Sequence, residues 1–364
     1  MRNLKASNTL PLMPWAVLFQ HSLFVTSFLL YPQKKSTIIL IKRQEREDNT
    51  MMKMFIFVLS AIVISALMFL GAGNYFYNFS ILRRKKEFLE NDPDLRENKS
   101  GASWNSNKEW LQQQNKEELT LETSEGLKLS ALYIPCPYAS DRTVLLVHGY
   151  NSWNGSMGGF AQYYMDLGYN VLLPDCRGHG KSEGSYIGFG WHDRKDILQW
   201  IEVLLKRNGS HSKIVLHGVS MGGATVLMTS GEELPDNVRC IISDCAYSSV
   251  RGILDYQMKR MFKLPSFPIM SFTSLVCKLR AGYFFKEASA TQQISKSKLP
   301  ILFIHGSEDR FVPTVMVYEL YEAANCPKEL LVIEGATHGT SFWKSPEAYK
   351  EAVEAFLQRF VDEA

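Results

Sequence analysis

The longest uncharged stretch of the chain, residues 54–82, sets the first limit on how it can fold. These 29 residues contain neither a charge nor a proline. About 20 apolar residues in a helix cross the hydrocarbon core of a bilayer, and helices buried in soluble domains rarely run this long without a polar stripe. We therefore predict a transmembrane helix over 54–82. The alternative is a cleaved signal peptide, whose apolar region is usually only about 7–15 residues long.

Two interpretations of the preceding residues, 1–53, stay open. Residues 10–31 form a weaker apolar segment, interrupted by Pro11, Pro14, Gln20 and His21, and are a candidate second span. Met51-Met52-Lys53 comes directly before the strong stretch and looks like a natural start of translation. On the second interpretation residues 1–50 are an over-extension of the gene, and the intact mass of the native protein would not include them.

The small net charge of +3 conceals an uneven distribution. Residues 1–117 carry 16 Lys/Arg and 10 Asp/Glu, whereas residues 118–364 carry 24 and 27. A surplus this small does not favour nucleic acid as a partner. If translation starts near Met51, the cluster Arg83-Arg84-Lys85-Lys86 outweighs Lys53, and the positive-inside rule places the following domain in the cytoplasm. With two spans, six basic residues in the loop between them balance the six on the other side, and the orientation stays open. The six dispersed cysteines, without a C-x-x-C pair, fit the reducing cytoplasm.

The remainder of the chain divides into a basic and then polar linker, residues 83–117, and a folded domain, residues 118–364. Apolar runs in this domain predict a hairpin and six further strands, 119–123, 127–134, 143–147, 170–173, 213–216, 239–243, 300–304 and 329–333. Segments of helical length separate the later runs, and a last helix is expected from Ser345. Strands that alternate with helices predict an α/β fold with a mainly parallel sheet covered on both faces. In such sheets ligands bind at the carboxyl ends of the strands.

One strand end carries a serine between glycines. The run Lys213–Leu216 continues through His217 into Gly218-Val219-Ser220-Met221-Gly222 and then into a predicted helix. A serine on a sharp strand-to-helix turn needs neighbours without side chains two residues away. The pattern G-x-S-x-G is weak alone, but its placement between a strand and a helix predicts Ser220 as a nucleophile.

A nucleophilic serine needs a base, and the base needs an acid that orients it. Asp309 follows the run 300–304, and His338 follows the run 329–333. Both positions lie at the same edge of the predicted sheet as Ser220. The chain order serine, aspartate, histidine is the order expected for a strand-to-helix serine of this kind.

Other residues compete for these roles, and the backbone must also supply hydrogen-bond donors. His179 lies in a strand-end loop and is the rival base, while Glu308 and Asp244 are rival acids. For a developing oxyanion we expect the N–H of Met221, directly after the serine, and the N–H of Tyr150, in the loop after 143–147. No metal-ligand cluster or phosphate loop accompanies the site in the sequence, so we expect no cofactor.

These motifs resemble those of serine hydrolases with the α/β-hydrolase fold. The resemblance covers nearly all of residues 118–364 and rests on five motifs, His148-Gly149-Tyr150, Asp175-x-Arg177-Gly178-His179-Gly180-x-Ser182, Gly218-x-Ser220-x-Gly222, His305-Gly-x-x-Asp309 and Gly335-x-x-His338. The chain is similar to membrane-anchored bacterial hydrolases grouped with prolyl-oligopeptidase-like peptidases. The resemblance implies Ser220 as nucleophile, Asp309 as acid, His338 as base, and Tyr150 and Met221 as oxyanion donors.

A helical cap is expected between the strand that ends near Asp244 and the one that starts at Pro300, at about residues 247–294. It is rich in Met and Phe, and it carries seven basic residues against two acidic ones between Tyr247 and Ala290. Such a cap suits acyl chains or anionic lipid headgroups. We therefore predict a membrane-anchored enzyme that cleaves a small or lipid-like carboxylic ester. A peptidase of the prolyl-oligopeptidase type, or a binding module that has lost its chemistry, are the alternatives.

Overall fold

The computed structural model describes residues 26–95 and 108–363. The chain divides into two compact units, Met1–Leu67 and Met68–Ala364. The described residues of the first unit belong to helix α1, Thr26–Phe76. Within the described residues one helical stretch, Lys35–Ile81, is long and apolar enough to cross a membrane, and it contains an 18-residue segment with a mean hydropathy of 2.6. The helix starts well before Met54, and most of the candidate second span, residues 10–31, lies outside the described residues.

The second unit is built on one sheet of eight strands. In chain order the strands are β1 Glu117–Glu122, β2 Lys128–Ile134, β3 Arg142–Val147, β4 Asn170–Pro174, β5 Lys213–Val219, β6 Val238–Asp244, β7 Ile301–Gly306 and β8 Lys328–Ile333. Their order across the sheet is β1-β2-β4-β3-β5-β6-β7-β8. The pairs β1–β2 and β2–β4 are antiparallel, and all the others are parallel. The predicted hairpin and mainly parallel sheet are confirmed.

Helices surround this sheet, and their bounds follow the predicted alternation. They are α2 Glu87–Glu90, α3 Lys108–Gln113, α4 Gly158–Asp166, α5 Asp193–Asn208, α6 Met221–Thr229, α7 Val250–Gln257, α8 Ile269–Ala281, α9 Ala290–Ile294, α10 Val315–Ala323, α11 Ser341–Lys344 and α12 Pro346–Leu357. The sheet is buried on both faces. On β3, for example, Leu145 and Val147 join one apolar cluster, and Val144 and Leu146 join the other. Alternate side chains of a strand point to opposite faces, which explains this division.

The uncharged stretch does not end as a simple transmembrane helix, and this corrects the bounds 54–82. Helix α1 ends at Phe76, and a single π-helical turn follows at Tyr77–Ile81. Phe76, Tyr77 and Ile81 are buried in the core of the second unit. The last residues of the stretch are therefore apolar because they pack against protein.

The first residues of the expected linker, 83–95, are also part of the second unit. Leu82 forms an antiparallel bridge with Tyr186. The guanidinium of Arg83 donates to the carbonyl oxygens of Ser182 (2.7 Å) and Gly180 (2.9 Å). Residues 96–107 lie outside the described residues, and the folded part resumes at α3. The expectation of a spacer over 83–117 therefore does not hold for its first third.

Lys86 ties this segment together. Its buried ammonium donates to the carbonyl oxygens of Phe79 (2.8 Å) and Leu82 (2.9 Å). Burial, together with the nearby charge of Arg84, lowers the pKa of Lys86 to about 7. The side chain thus satisfies carbonyl oxygens at the end of the π-helical turn, which have no partner within the turn itself.

Residues 247–294, the predicted cap, contain the helices α7, α8 and α9. Helix α7 continues into a π-helical turn, Met258–Phe262, and the loop 263–268 separates this turn from α8. Helix α8 packs against the end of α1: the rings of Phe272 and Phe69 stack with centroids 5.5 Å apart. A Cβ atom added to Gly73 would lie 2.7 Å from the carbonyl carbon of Phe272, so the two helices touch through their backbones.

Candidate active site

Ser220 lies on a sharp turn between β5 and α6. Its backbone has φ 57° and ψ −118°, a conformation that residues other than glycine rarely adopt. A Cβ atom added to Gly218 would lie 2.1 Å from the carbonyl oxygen of Gly222, and one added to Gly222 would lie 2.0 Å from that of Val147. Only glycine fits at either position, which is the steric reason for the G-x-S-x-G pattern. Strain of this kind is typical of functional sites.

The structure brings the three predicted side chains together in one hydrogen-bonded row. The Oγ of Ser220 lies 2.8 Å from Nε2 of His338, and Nδ1 of His338 lies 2.7 Å from Oδ2 of Asp309. Since a carboxylate only accepts, Nδ1 carries the hydrogen, which leaves Nε2 free to accept from the serine hydroxyl. Each of the three residues is at most 7% exposed.

The carboxylate of Asp309 is held in its charged form. Burial raises its pKa, but the imidazoles of His338 and His305 and their hydrogen bonds outweigh this effect and hold the pKa below its ordinary value. Its other oxygen, Oδ1, accepts from the backbone N–H groups of Phe311 (3.0 Å) and Val312 (2.8 Å). An ionised, fully bonded carboxylate of this kind suits an orienting role.

The rival residues occupy other positions. Oδ2 of Asp244 accepts from the hydroxyl of Tyr349 at 3.2 Å, and burial raises the pKa of Asp244 to about 6. The Nε2 atom of His179 accepts from the backbone N–H of Asn151 (3.2 Å), and its Nδ1 lies 3.1 Å from the carbonyl oxygen of Arg177. Burial, reinforced by the nearby His148, lowers the pKa of His179 to about 3. His179 therefore braces a loop and does not contact the serine.

Sequence reasoning missed the part played by His305, which it named only as the first residue of the motif His305-Gly-x-x-Asp309. Its Nε2 lies 3.2 Å from Oδ2 of Asp309 and 2.9 Å from the carbonyl oxygen of Val312. Both partners accept, so Nε2 carries a hydrogen and Oδ2 of Asp309 faces two imidazoles at once. The signal that points to this contact is the four-residue spacing between His305 and Asp309 at the end of β7.

The two residues expected to supply backbone donors come from the loop beside Ser220 and from the start of α6. The loop after β3 passes directly beside it: a Cβ atom on Gly149 would lie 3.4 Å from Cβ of Ser220. Tyr150 follows in this loop, and Met221 is the first residue of α6, where backbone N–H groups have no partner within the helix. The phenol of Tyr150 donates to the carbonyl oxygen of Ser80 at 2.7 Å, so this loop is tied to the turn that follows α1.

An apolar cavity of about 80 Å³ opens at Ser220. Its wall comes from the end of α1 and the segment after it, from α7 and its π-helical turn, and from the loop around Phe311. Representative members of the three groups are Phe76, Phe79, Phe88, Leu254, Met258 and Phe311. None of the described residues that line the cavity is charged.

The polar side chains in this wall other than Ser220 are hydrogen-bonded within the protein. The amide nitrogen of Gln257 donates to the carbonyl oxygen of Phe311 (2.7 Å), and the hydroxyl of Tyr247 donates to that of Phe189 (2.8 Å). The phenol of Tyr150 is likewise engaged with the backbone. Apart from the serine and the expected oxyanion donors, the cavity therefore offers a ligand mainly apolar surface.

Cys245 is the one residue that offers a further metal ligand here within the described chain. Its Sγ, a carboxylate oxygen of Asp309 and an imidazole nitrogen of His338 all lie within 4.8 Å of one another. Burial and the neighbouring carboxylates raise the pKa of the Cys245 thiol well above its ordinary value. Since metals bind the thiolate, and since His338 is already bonded to Asp309 and Ser220, these residues do not fit a metal site.

Comparison with known proteins agrees with this geometry. The model of a family described as "Serine aminopeptidase, S33" matches residues 138–272. The Bacillus subtilis protein YqkD is 29% identical over 254 residues, which cover 70% of this chain and 83% of YqkD. The protein YfhR of Escherichia coli K12 is 26% identical over 250 residues, which cover 66% of this chain and 80% of YfhR.

Solved structures show the same fold. The esterase Pf2001 of Pyrococcus furiosus superposes with a TM-score of 0.58 at 27% identity, covering 70% of this chain and 94% of the esterase. An acylaminoacyl peptidase of Pyrococcus horikoshii shares the fold with a TM-score of 0.50 at 20% identity, covering 70% of this chain and 43% of the peptidase. Together with the sheet order, these matches identify the chain as a serine hydrolase with the α/β-hydrolase fold.

Proposed function

We propose that the protein is a membrane-anchored hydrolase that cleaves carboxylic esters with an apolar acyl group. The Oγ of Ser220 attacks the carbonyl carbon while Nε2 of His338 takes its proton, and Asp309 orients the imidazole. The N–H groups of Tyr150 and Met221 donate to the oxyanion. His338 then returns the proton to the leaving alcohol, and water releases the acid from the acyl-enzyme by the same steps.

The observation that carries this proposal is the uncharged cavity that opens at Ser220. Ligand pockets with mainly apolar walls bury most of a small ligand. Transfer of an acyl chain from water into such a cavity is favourable by about 25 cal/mol per Å² of apolar surface buried. The similarity to an esterase supports the same substrate class.

The second candidate is a serine peptidase, which the description of the matched family favours. An aminopeptidase must hold the free ammonium group of its substrate, and a buried ammonium needs a carboxylate or several acceptors. None of the described residues that line the cavity is acidic. A peptide would also need partners for its backbone groups, whereas Gln257 and Tyr247 are already bonded within the protein. The third candidate, a module without chemistry, does not account for the bonded row of Ser220, His338 and Asp309.

Substrate profiling of the purified full-length chain tests the proposal. We expect hydrolysis of p-nitrophenyl esters, with kcat/KM rising from acetate to longer acyl chains, and little hydrolysis of aminoacyl anilides. An anilide cleaved faster than every ester would make the peptidase the better interpretation. If the chain hydrolyses neither the esters nor the anilides but still reacts with a fluorophosphonate, its substrate has another leaving group.

Widening the cavity should change the preferred acyl length. Phe79 packs in the wall, with its ring stacked on Phe88 (4.5 Å) and edge-on to Phe262 (5.3 Å). The change Phe79→Ala is expected to raise kcat/KM for long relative to short p-nitrophenyl esters roughly tenfold, the effect of about one well-placed methylene. As a matched control, Tyr318→Ala removes an aromatic ring that is 48% exposed on α10. An unchanged ratio in Phe79→Ala would place the acyl group elsewhere.

His305 is proposed as a positioning residue for Asp309. The change His305→Gln removes an imidazole N–H from beside Oδ2 and is expected to lower kcat/KM roughly tenfold, the cost of about one hydrogen bond to a charged group. We expect the loss in kcat with KM nearly unchanged, because the residue does not line the cavity. His305→Asn, whose amide is too short to reach Oδ2, should lose at least as much. A larger change in KM than in kcat would contradict the assignment.

The membrane part of the proposal rests on the apolar stretch of α1, which is exposed over its described length before Met68 apart from Ala66. If translation starts near Met51, the basic cluster 83–86 favours the cytoplasmic face for the catalytic unit. In a chain whose half-exposed Cys136 and Cys326 are replaced by serine, a cysteine at the exposed Tyr138 tests this. It should react with a membrane-impermeant maleimide only after the cells are lysed.

A further inference from the structure

We propose that helix α8 and the loop before it, residues 263–268, lie in the surface layer of the bilayer, so that the cap of the enzyme is itself a membrane-binding element. We call this part of the molecule the cap face. The inference rests on the proposed membrane span and is independent of the chemistry at Ser220.

The depth of the cap face follows from its contact with α1. Lys53 marks the start of the uncharged stretch, and about 20 residues from Met54 bring a span to its end near Gly73. Phe69 lies four residues before that point, which is about 6 Å at the helical rise of 1.5 Å per residue. Phe272 stacks on Phe69 and touches Gly73. The N-terminal part of α8 therefore lies at the level of the last turn of the span.

The side of α8 that continues from this contact is apolar and exposed. Phe272, Leu275 and Leu279 follow the spacing i, i+3, i+7 and share one face of the helix. Leu275 is 37% exposed and Leu279 is 76% exposed. The opposite side of α8 is buried in the core through residues such as Val276 and Cys277. An apolar row on a helix that is otherwise packed calls for a partner outside the folded unit.

The loop before α8 also exposes apolar side chains. It exposes Leu264 (41%) and Phe267 (73%), one at each side of its central serine. Surface apolar residues that occur singly need no explanation, whereas several on adjoining elements mark an interaction site. Leucine and phenylalanine are the residues that interfacial helices insert about 5–10 Å into the boundary between headgroups and acyl chains.

Basic residues accompany these side chains, and they favour a lipid surface as the partner. Lys263 is exposed in the loop, and Arg280 lies in the last turn of α8 together with Lys278, which pairs with Glu287 at 3.3 Å. Arg280 donates to the amide oxygens of Asn74 (2.9 Å) and Asn78 (2.8 Å), directly after the proposed span. Positive charge beside an exposed apolar row matches a bilayer that contains anionic lipid. The contact between Phe272 and Phe69 also holds α8 beside the last turn of the proposed span, where the surface of a bilayer would lie.

Fluorescence quenching by lipids tests the inference in the full-length chain. In the Cys136→Ser, Cys326→Ser background, an environment-sensitive fluorophore (NBD) is attached to single cysteines, Leu279→Cys and, as a second variant, Leu275→Cys. The protein is placed in vesicles of phosphatidylcholine and phosphatidylglycerol with a doxyl quencher near the headgroup. We expect a roughly twofold loss of emission at both positions. The matched control Tyr138→Cys, at a site 79% exposed between β2 and β3, should lose none.

A label at Phe57, within the proposed span, tests the membrane anchor separately from the membrane contact of the cap face. Quenching at Phe57 by a doxyl group deep in the acyl chains, without quenching at Leu279 or Leu275, would overturn the cap face and leave the anchor in place. No quenching at Phe57 would overturn the anchor and the cap face together, while the activity on esters would be unaffected. Blue-shifted but unquenched emission at Leu279 would mean that a protein surface covers the cap face, and would also overturn the inference.

Discussion

The change Ser220→Ala is expected to abolish hydrolysis and to prevent labelling by a fluorophosphonate. Removal of the nucleophile from a serine hydrolase lowers kcat about 10⁴- to 10⁶-fold, because the remaining backbone donors and the cavity alone supply little of the rate. In this protein Oγ of Ser220 is the serine oxygen within 2.8 Å of Nε2 of His338. The measurement is the fraction of chain labelled by the probe, together with kcat/KM on p-nitrophenyl esters.

Ser80 provides a control in the same cavity. It also lines the wall, but its hydroxyl donates to the carbonyl oxygen of Phe76 at 2.7 Å and has no base beside it. We expect Ser80→Ala to be labelled as the native chain is. Undiminished labelling of Ser220→Ala, or an unlabelled native chain, would contradict the assignment of the nucleophile. A melting temperature close to that of the native chain would show that the loss in Ser220→Ala is chemical.

The change Asp309→Asn is expected to lower kcat about 10⁴-fold, which corresponds to about 5.5 kcal/mol of transition-state stabilisation. The carboxylate accepts from His338 at 2.7 Å, from two backbone N–H groups and from His305. An amide in its place can turn its NH₂ group toward Nδ1 of His338. That would favour the tautomer with the hydrogen on Nε2, which cannot take a proton from the serine.

Asp244→Asn is the matched substitution, because Asp244 is the other buried carboxylate near the site. Its bonded oxygen accepts from the hydroxyl of Tyr349, and an amide oxygen can do the same. We expect less than about a tenfold loss of kcat from Asp244→Asn. A loss in Asp244→Asn as large as that in Asp309→Asn would show that the two carboxylates act as one unit.

Much of the fold and the grouping of the candidate site could be predicted because local rules determine them. The steric demand for glycine at 218 and 222 belongs to a strand-to-helix turn, and short apolar runs between helical segments indicate parallel strands. Parallel strands bring their carboxyl ends to one edge, so Ser220, Asp309 and His338 could be expected to meet although 118 residues separate the first from the last. Their catalytic roles remain predictions.

Other features could not be predicted, since they depend on contacts between distant segments. His305 and His179 both follow strand ends, yet one faces the carboxylate of Asp309 and the other braces the loop after β3. Lys86 looks like one charge of an exposed basic cluster, whereas the structure buries it against two carbonyl oxygens. In each case the neighbours across the fold, and not the residues beside it in the chain, decide the role.

The uncharged stretch 54–82 shows most clearly what the sequence determines and what the tertiary structure determines. By itself the sequence determined that these residues avoid water, because every one of them lacks a charge and the run is long enough for a span. The tertiary structure alone decided that the run serves two environments. Its last residues, from Phe76 to Ile81, pack into the folded unit and wall the cavity at Ser220, while the residues before Met68 stay almost fully exposed. The physical reason is that burial against lipid and burial against protein remove the same apolar surface from water, so only the contacts can tell them apart.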